Sequence, residues 1–318
     1  MAVPLRIVFC GTPVFAVPSL DRLIAEPEFE IVGVVTQPDR PRGRGRELAM
    51  SAVKAAAAKA GIPVYQPEKI RSDEAYEYFQ RVAPDVVVII AYGQIISPRL
   101  IAIPRLGWIN VHGSLLPKYR GAAPINWAII NGETSTGVTT MQIDAGLDTG
   151  PMLLKCETAI GADETAPELT ARLSEAGAPL MVKTLRKLDR GEITPTPQDN
   201  SQATLAPILK KDDGKIDWYL SARRIYNRIR GLQPWPGAFT TFRGRNCQIW
   251  GKPLKPVAAG GEPGILLPTQ ESGLLVICGG PAASVLRVEH IQVEGRNRVT
   301  DFEFMRGARI QAGERFGA

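Results

Sequence analysis

Asn110 and His112 stand two residues apart in the run Trp108-Ile-Asn-Val-His-Gly-Ser-Leu-Leu-Pro117, in a chain that has only two histidines. In an extended strand side chains repeat every second residue, so both point to the same side. An amide N–H donor beside an imidazole could stabilise a developing C–O⁻, which makes the pair a candidate oxyanion site for acyl transfer. Asp148 follows the next apolar run and could orient and charge the imidazole or collect a proton. A hydrogen-bonded structural pair would also read Asn-x-His. Position favours the chemical reading: the pair ends a strand and precedes a Gly-Ser-Leu-Leu-Pro loop that could wall a flat ligand. The other histidine, His290, falls in the basic last third, so no serine or cysteine acquires a second partner for a covalent triad. Direct transfer between two bound substrates is the chemistry to expect.

Four further motifs carry less. Gly11-Thr-Pro follows the first strand where a Rossmann fold has its phosphate loop, but the second and third glycines of G-x-G-x-x-G are absent, so Gly11 is read as a tight corner and no nicotinamide cofactor is expected. Gly146-Leu-Asp148-Thr-Gly150 contains the aspartic protease tripeptide, but that chemistry needs a second carboxylate from a second copy, and the chain has one copy in an α/β setting. Arg40, Arg42, Arg44 and Arg46 alternate with Pro and Gly in a loop without apolar anchors, suited to phosphates or base edges and equally to a solvated surface. In the last third Arg223, Arg224, Arg228 and Arg230, near Tyr219, Tyr226 and Trp235, read either as a nucleic-acid face or as the exposed side of a helix that buries Leu220, Ile225 and Ile229. Two basic elements in separate domains together favour RNA.

The elements that must position these residues follow from the pattern. The chain has 318 residues, 44% of them hydrophobic and 22% charged, which excludes collagen, coiled coil and disordered tail. Apolar runs at 5–10, 31–35, 62–65, 85–91, 108–111 and 138–143 alternate with helical periodicity at 14–24, 51–60, 74–82 and 168–188. Strands alternating with helices imply an α/β domain, a Rossmann-like, open and mostly parallel sheet whose ligands bind beyond the carboxyl ends of the strands. Residues 1–190 form this domain, 191–209 a Pro/Thr/Asn/Gln linker, and 210–318 a smaller β-rich domain, read as a barrel with one helix near 221–230. Net charge is +6, but residues 1–206 carry 21 Lys/Arg against 22 Asp/Glu, net −1, and residues 207–318 carry 17 against 10, net +7. The basic third would suit a polyanion. Four scattered cysteines and two histidines offer no metal-ligand spacing, so reduced thiols and no metal are expected. The longest apolar run, 86–91, is far short of the roughly 20 residues that span a bilayer. No signal or transit segment is read at the amino terminus, and no heptads. A cytoplasmic monomer without a membrane partner is expected.

The segment 110–125, Gly-Leu-Asp-Thr-Gly at 146–150, Phe-x-Gly-Thr-Pro-x-Phe-Ala at the start and Thr-Gln-Pro-Asp-Arg-Pro-x-Gly-Arg-Gly at 36–45 together resemble the methionyl-tRNA formyltransferases. Ile216-Asp-Trp218, Pro234-Trp-Pro236 and Phe304-Met-Arg-Gly-Ala-Arg309 are similar to that family's carboxyl-terminal domain, so the likeness covers nearly the whole chain. The Asn-x-His with a later Asp belongs to all folate-dependent formyltransferases; the arginine loop and the second domain narrow the resemblance to those acting on tRNA. It implies formyl transfer from 10-formyltetrahydrofolate, as co-substrate, to the α-amino group of methionyl initiator tRNA. Asn110 and His112 would stabilise the oxyanion and Asp148 would hold the imidazole and assist proton transfer. Ser114, Leu115, Leu116 and Pro117 match the family's folate-binding loop, and Tyr92, Gln94 and Ile96 would line the pterin pocket. The arginine loop, with Arg44, would enter the acceptor end, and a second domain of OB-type barrel would hold the acceptor arm through residues such as Arg223 and Arg224. Where many relatives have a lysine in the linker this chain reads Leu205-Ala-Pro-Ile208, which would leave that contact missing or move it to Lys210 and Lys211; after Met50 it has Ser-Ala-Val where a proline is common. The nearest rival is a formyltransferase of a small amine such as a nucleotide sugar; a more distant one is a non-catalytic RNA-binding protein.

Overall fold

The computed structural model describes residues 3–42, 47–254, 261–280, 284–311 and 313–317. In chain order the first part contains β1 (Leu5–Gly11), α1 (Val17–Ile24), β2 (Phe29–Val35), β3 (Arg40–Arg42), β4 (Glu47–Ala49), α2 (Ala52–Lys59), β5 (Val64–Tyr65), α3 (Asp73–Val82), β6 (Val86–Ile90), α4 (Pro98–Ile101), β7 (Trp108–His112), α5 (Pro124–Ile130), β8 (Ser135–Gln142), β9 (Met152–Ala159) and α6 (Ala166–Asp189). There follow α7 (Ala222–Gly231), β10 (Phe239–Phe242), β11 (Arg245–Pro253), β12 (Leu266–Thr269), β13 (Gly273–Cys278), β14 (Ser284–Val293), β15 (Val299–Thr300) and α8 (Asp301–Ala308). Helices α2 and α3 start where the sequence supplies caps: Ser51 Oγ accepts from the Lys54 amide and Ser72 Oγ from the Ala75 amide. Among the described residues no helix is long and apolar enough to cross a membrane.

Seven strands form one sheet in the order β5-β2-β1-β6-β7-β8-β9. The pairings from β5 to β7 are parallel and the last two, β7–β8 and β8–β9, antiparallel. The expected Rossmann-like, mostly parallel sheet is therefore present, with an antiparallel edge. Five consecutive β-branched residues make β6, and all five are buried, as a strand covered on both faces requires. Val8, Cys10, Val35, Phe79, Val87 and Trp108 pack in the core on one face, with the Phe79 and Trp108 rings 5.2 Å apart. The chain leaves β1 toward β2 on one side and returns to β6 on the other, so the strand order reverses between β1 and β6. The loops after these strands are tied at that point: Gln37 Nε2 donates to the Tyr92 carbonyl at 3.0 Å and Thr12 Oγ1 at 3.4 Å. Gly11 serves spacing: an added Cβ would lie 3.0 Å from Ala16 Cβ and 3.1 Å from the Ile90 carbonyl oxygen.

Several elements depart from the sequence reading. The stretch 36–46, expected to be a loop, carries β3, which pairs antiparallel with β4 as a ribbon in the register Arg40↔Ala49 and Arg42↔Glu47. Its base is fastened where Asp39 meets Lys54 Nζ at 2.5 Å and Gln66 Nε2 at 2.9 Å. Strand β9 and helices α4 and α5 had no counterpart in the expected order, and the last third has two described helices where one was expected.

By contacts the chain divides into two compact units, the first comprising Met1–Pro124, Ser135–Ala159 and Leu169–Pro207, the second Ile125–Thr134, Ile160–Glu168 and Ile208–Ala318. Residues 191–207 thus group with the first unit. In the second, the antiparallel order is β10-β11-β14-β13-β12, with β15 on β14. The chain end joins the two outer strands' neighbourhoods: Leu266 N donates to the Glu314 carbonyl and Phe316 N to Gly264, while Gly317 N donates to Thr241 on β10. Trp218, Phe242, Phe304 and Phe316 fill the interior.

Candidate active site

Strand β7 brings Asn110 and His112 to its carboxyl end, opposite Met141 and Thr139 of β8. His112 is 5% exposed. Its Nε2 lies 2.8 Å from the Tyr119 carbonyl oxygen, which can only accept, so Nε2 carries the hydrogen of that bond. Nδ1 then faces Asp148 Oδ2 at 3.7 Å, too long for a hydrogen bond but close for a charge. The same Oδ2 accepts from the Gly121 amide at 2.9 Å. Asn110 is half-buried, and its side chain makes no hydrogen bond among the described residues. An open amide donor and a fixed imidazole nitrogen therefore share the carboxyl end of one strand.

The Asp148 loop explains its own sequence. Asp144 caps it, accepting from the Gly146 amide and from Thr149 Oγ1. A Cβ on Gly146 would lie 2.0 Å from Thr149 Oγ1 and one on Gly150 1.9 Å from the Gln142 carbonyl oxygen, so neither position admits a side chain. Between them Asp148 takes a left-handed φ of 51°, a strained setting for a non-glycine residue that the surrounding bonds hold in place.

The Ser114–Pro117 loop is fixed from beneath. Ser114, fully buried, donates from Oγ to the Lys118 carbonyl at 2.6 Å, and Thr139 Oγ1 donates to the Ser114 carbonyl at 2.7 Å. Leu116 is fully buried ahead of a cis Pro117, and Lys155 Nζ reaches its carbonyl oxygen at 2.5 Å. Burial lowers the Lys155 ammonium below the usual lysine range. Leu115 and Pro117 are the half-buried members with surface to offer. Of the other proposed pocket residues, Tyr92 lies in the core with its hydroxyl unpartnered, and Gln94 is used structurally, its Oε1 accepting from the Ile70 amide at 2.7 Å. Ile96 is also in the core; Ile95, which the sequence reading did not single out, is 72% exposed.

The basic residues separate into two groups. Arg40 is exposed on β3 beside Arg42, whereas Arg44 and Arg46 lie outside the described residues. Lys210, Lys211, Arg223 and Arg224 are exposed. Arg228 and Arg230 are not part of an open basic face: Arg230 is 5% exposed and donates to the Gly161 and Glu164 carbonyls, and Arg228 donates to the Asp213 carbonyl. Tyr226 is likewise turned inward, bonded to Asp163 at 2.7 Å, while Tyr219 and Trp235 stay exposed. Burial pushes the thiols of Cys10, Cys247 and Cys278 up, to about 11 for Cys247 and about 12 for Cys278, which disfavours the nucleophilic thiolate. The Tyr119 carbonyl, the Gly121 amide and Gln198, which touch this arrangement, carried no local signal.

Comparison with known proteins agrees with this architecture. The family described as formyl transferase matches residues 5–185, and the formyl transferase carboxyl-terminal domain matches residues 208–309. The methionyl-tRNA formyltransferase of Solibacter usitatus is 53% identical over 98% of this chain and 99% of its own length, and that of Geobacter metallireducens 47% identical over the same shares. Among solved structures, the N-formyltransferase from Helicobacter canadensis in complex with folinic acid and dTDP-3-aminofucose shares the fold, with a TM-score of 0.67 at 18% identity over 90% of this chain and 99% of its own. Full-length similarity of this degree, over both matched regions, means that the chain belongs to the methionyl-tRNA formyltransferase family.

Proposed function

We propose that the protein transfers the formyl group of 10-formyltetrahydrofolate to the α-amino group of methionyl initiator tRNA, by direct attack at the end of β7. The observation that carries this reading is the end of β7, where the Asn110 amide, unpartnered among the described residues, stands beside an imidazole held between the Tyr119 carbonyl and the Asp148 carboxylate. The amine nitrogen attacks the formyl carbon, and the C=O electron pair moves onto oxygen. Asn110 donates to that oxygen. His112 donates through Nδ1, since Nε2–H is committed to Tyr119; it then acts as the imidazolium, whose charge Asp148 faces. The attacking amine, now cationic, gives a proton to the Asp148 carboxylate, and collapse re-forms the C=O and breaks the bond from the formyl carbon to N10, which takes that proton as it leaves. Placing both donors where charge develops is worth several kcal/mol in such sites.

Leu115, Pro117 and Ile95 supply apolar surface for the folate, with Ser114 and Leu116 holding the loop. The arginines of residues 40–46, with Lys210, Lys211, Arg223 and Arg224, contact the tRNA. The first unit, which includes residues 191–207, carries the chemistry, and the second, with residues 208–318, holds the nucleic acid. The same reading makes the protein a cytoplasmic monomer. Turnover from 10-formyltetrahydrofolate with initiator methionyl-tRNA, elongator methionyl-tRNA and free methionine tests it. Transfer to the initiator alone is expected. Equal transfer to free methionine or another small amine would replace the tRNA reading with that of a small-amine enzyme.

A further inference from the structure

We propose that Gln198 is a positioning residue that sets the distance between Asp148 and His112, an inference that rests on the transfer reading above. Its amide joins two loops that approach the imidazole from opposite partners. Gln198 Nε2 donates to the carbonyls of Asp148 and Gly150, both at 2.8 Å. Its Oε1 accepts from Arg120 Nε at 3.0 Å. Arg120 follows Tyr119, whose carbonyl receives the His112 Nε2 hydrogen, and precedes Gly121, whose amide holds the Asp148 carboxylate. Both contacts of His112 are therefore set by loops that meet at one side chain.

The segment that carries Gln198 is itself fastened. Thr196 exchanges hydrogen bonds with Met152, each 2.8 Å, while the Ala206 amide donates to the Arg120 carbonyl at 2.7 Å and the Arg120 amide to the Thr204 carbonyl at 2.8 Å. Thr204 Oγ1 accepts from the Tyr119 amide, and Asn200 Oδ1 from Arg120 Nη2. A Cβ on Gly121 would lie 2.7 Å from the Ala206 carbonyl oxygen, so the strap and the loop touch backbone to backbone. Arg120, 7% exposed, thus has its guanidinium held by side-chain carbonyls of this strap. Among the described residues, Gln198 is the one side chain of the strap that reaches the Asp148 loop, and it does so at the residue with the left-handed backbone.

Two substitutions separate positioning from simple bracing. Gln198→Glu keeps the acceptor for Arg120, with added charge attraction, but turns an oxygen toward two carbonyls that need a donor. Gln198→Ala removes both contacts. Steady-state transfer would be measured with both substrates varied, together with melting temperature. The protein has only two histidines, so ¹⁵N-imidazole spectra of the full chain resolve His112 from His290. Positioning predicts that both variants lose at least tenfold in kcat with both KM values unchanged, and that the His112 resonances move while those of His290 do not. Wild-type kcat in Gln198→Glu with unmoved His112 resonances would overturn the inference, as would a fall in melting temperature with unchanged kcat per folded molecule. The imidazole spectra need no turnover. Shifted His112 signals in the variants, with no transfer by the wild type to any tRNA, would retain the clamp and remove the reaction.

Discussion

Replacing Asn110 with alanine isolates one of the two oxyanion donors proposed above. The side chain is half-buried and has no hydrogen-bond partner among the described residues, so its removal leaves no orphaned group and should cost the fold little. On the proposed mechanism the same amide faces the developing charge in the transition state, and deleting one such donor costs about 3 kcal/mol in comparable sites. That is a fall of about 150-fold in kcat, at 1.36 kcal/mol per decade. The assay is single-turnover formyl transfer to initiator methionyl-tRNA under saturating folate, with melting temperature measured in parallel. The expected pattern is slow chemistry, unchanged folate affinity and an unchanged melting temperature. Transfer within a few-fold of wild type would refute the donor role, and a large loss of stability would assign Asn110 to the scaffold instead.

Three other outcomes follow from the same geometry. Gly150→Ala places a methyl against the Gln142 carbonyl, so the Asp148 loop must shift; kcat should drop more than tenfold, read by the same assay. Arg186 bonds Glu28 and Glu26, each at 2.6 Å, and the guanidinium beside Glu28 lowers its carboxyl below the usual range. A lowered folded-state pKa gives stability that is present above the unfolded value and lost as pH falls through the folded one. The melting temperature of Arg186→Ala should therefore lie below wild type at neutral pH and converge with it in acid, and a pH-independent gap would contradict the assignment. Arg44→Ala should raise KM for tRNA and flatten its salt dependence by about one ion while leaving folate KM alone; parallel loss of both would mean a folding defect.

The parallel strands were legible because continuous β-branched runs such as 86–90 have no other stable setting than a doubly covered sheet. Strand β9 was not: its exposure alternates at the sheet edge, and Lys155, Glu157 and Thr158 dilute the apolar signal. The β3–β4 ribbon is written in arginine, proline and glutamate, so its pairing has no compositional trace. Helix α8 did have one, since Thr300 and Glu303 form a capping box that marks its start. Arg230 shows how charge misleads: it stands four residues after the buried Tyr226, on the same helical face, and its position rather than its type decides its burial. Asn110, His112 and Asp148 could be singled out because residue type and strand period coincide with a glycine-flanked loop. Gln198 could not, because its partners lie 48 to 78 residues away in a polar stretch that looks like any linker.

The most direct test of the account is single-turnover transfer from 10-[¹³C]formyltetrahydrofolate to initiator methionyl-tRNA by wild type, His112→Gln and Asp148→Asn side by side. Label on the methionine nitrogen, one tetrahydrofolate released per formyl group, and a collapse of the rate in both variants are expected. Normal rates in the variants, or label that never reaches that nitrogen, would contradict it.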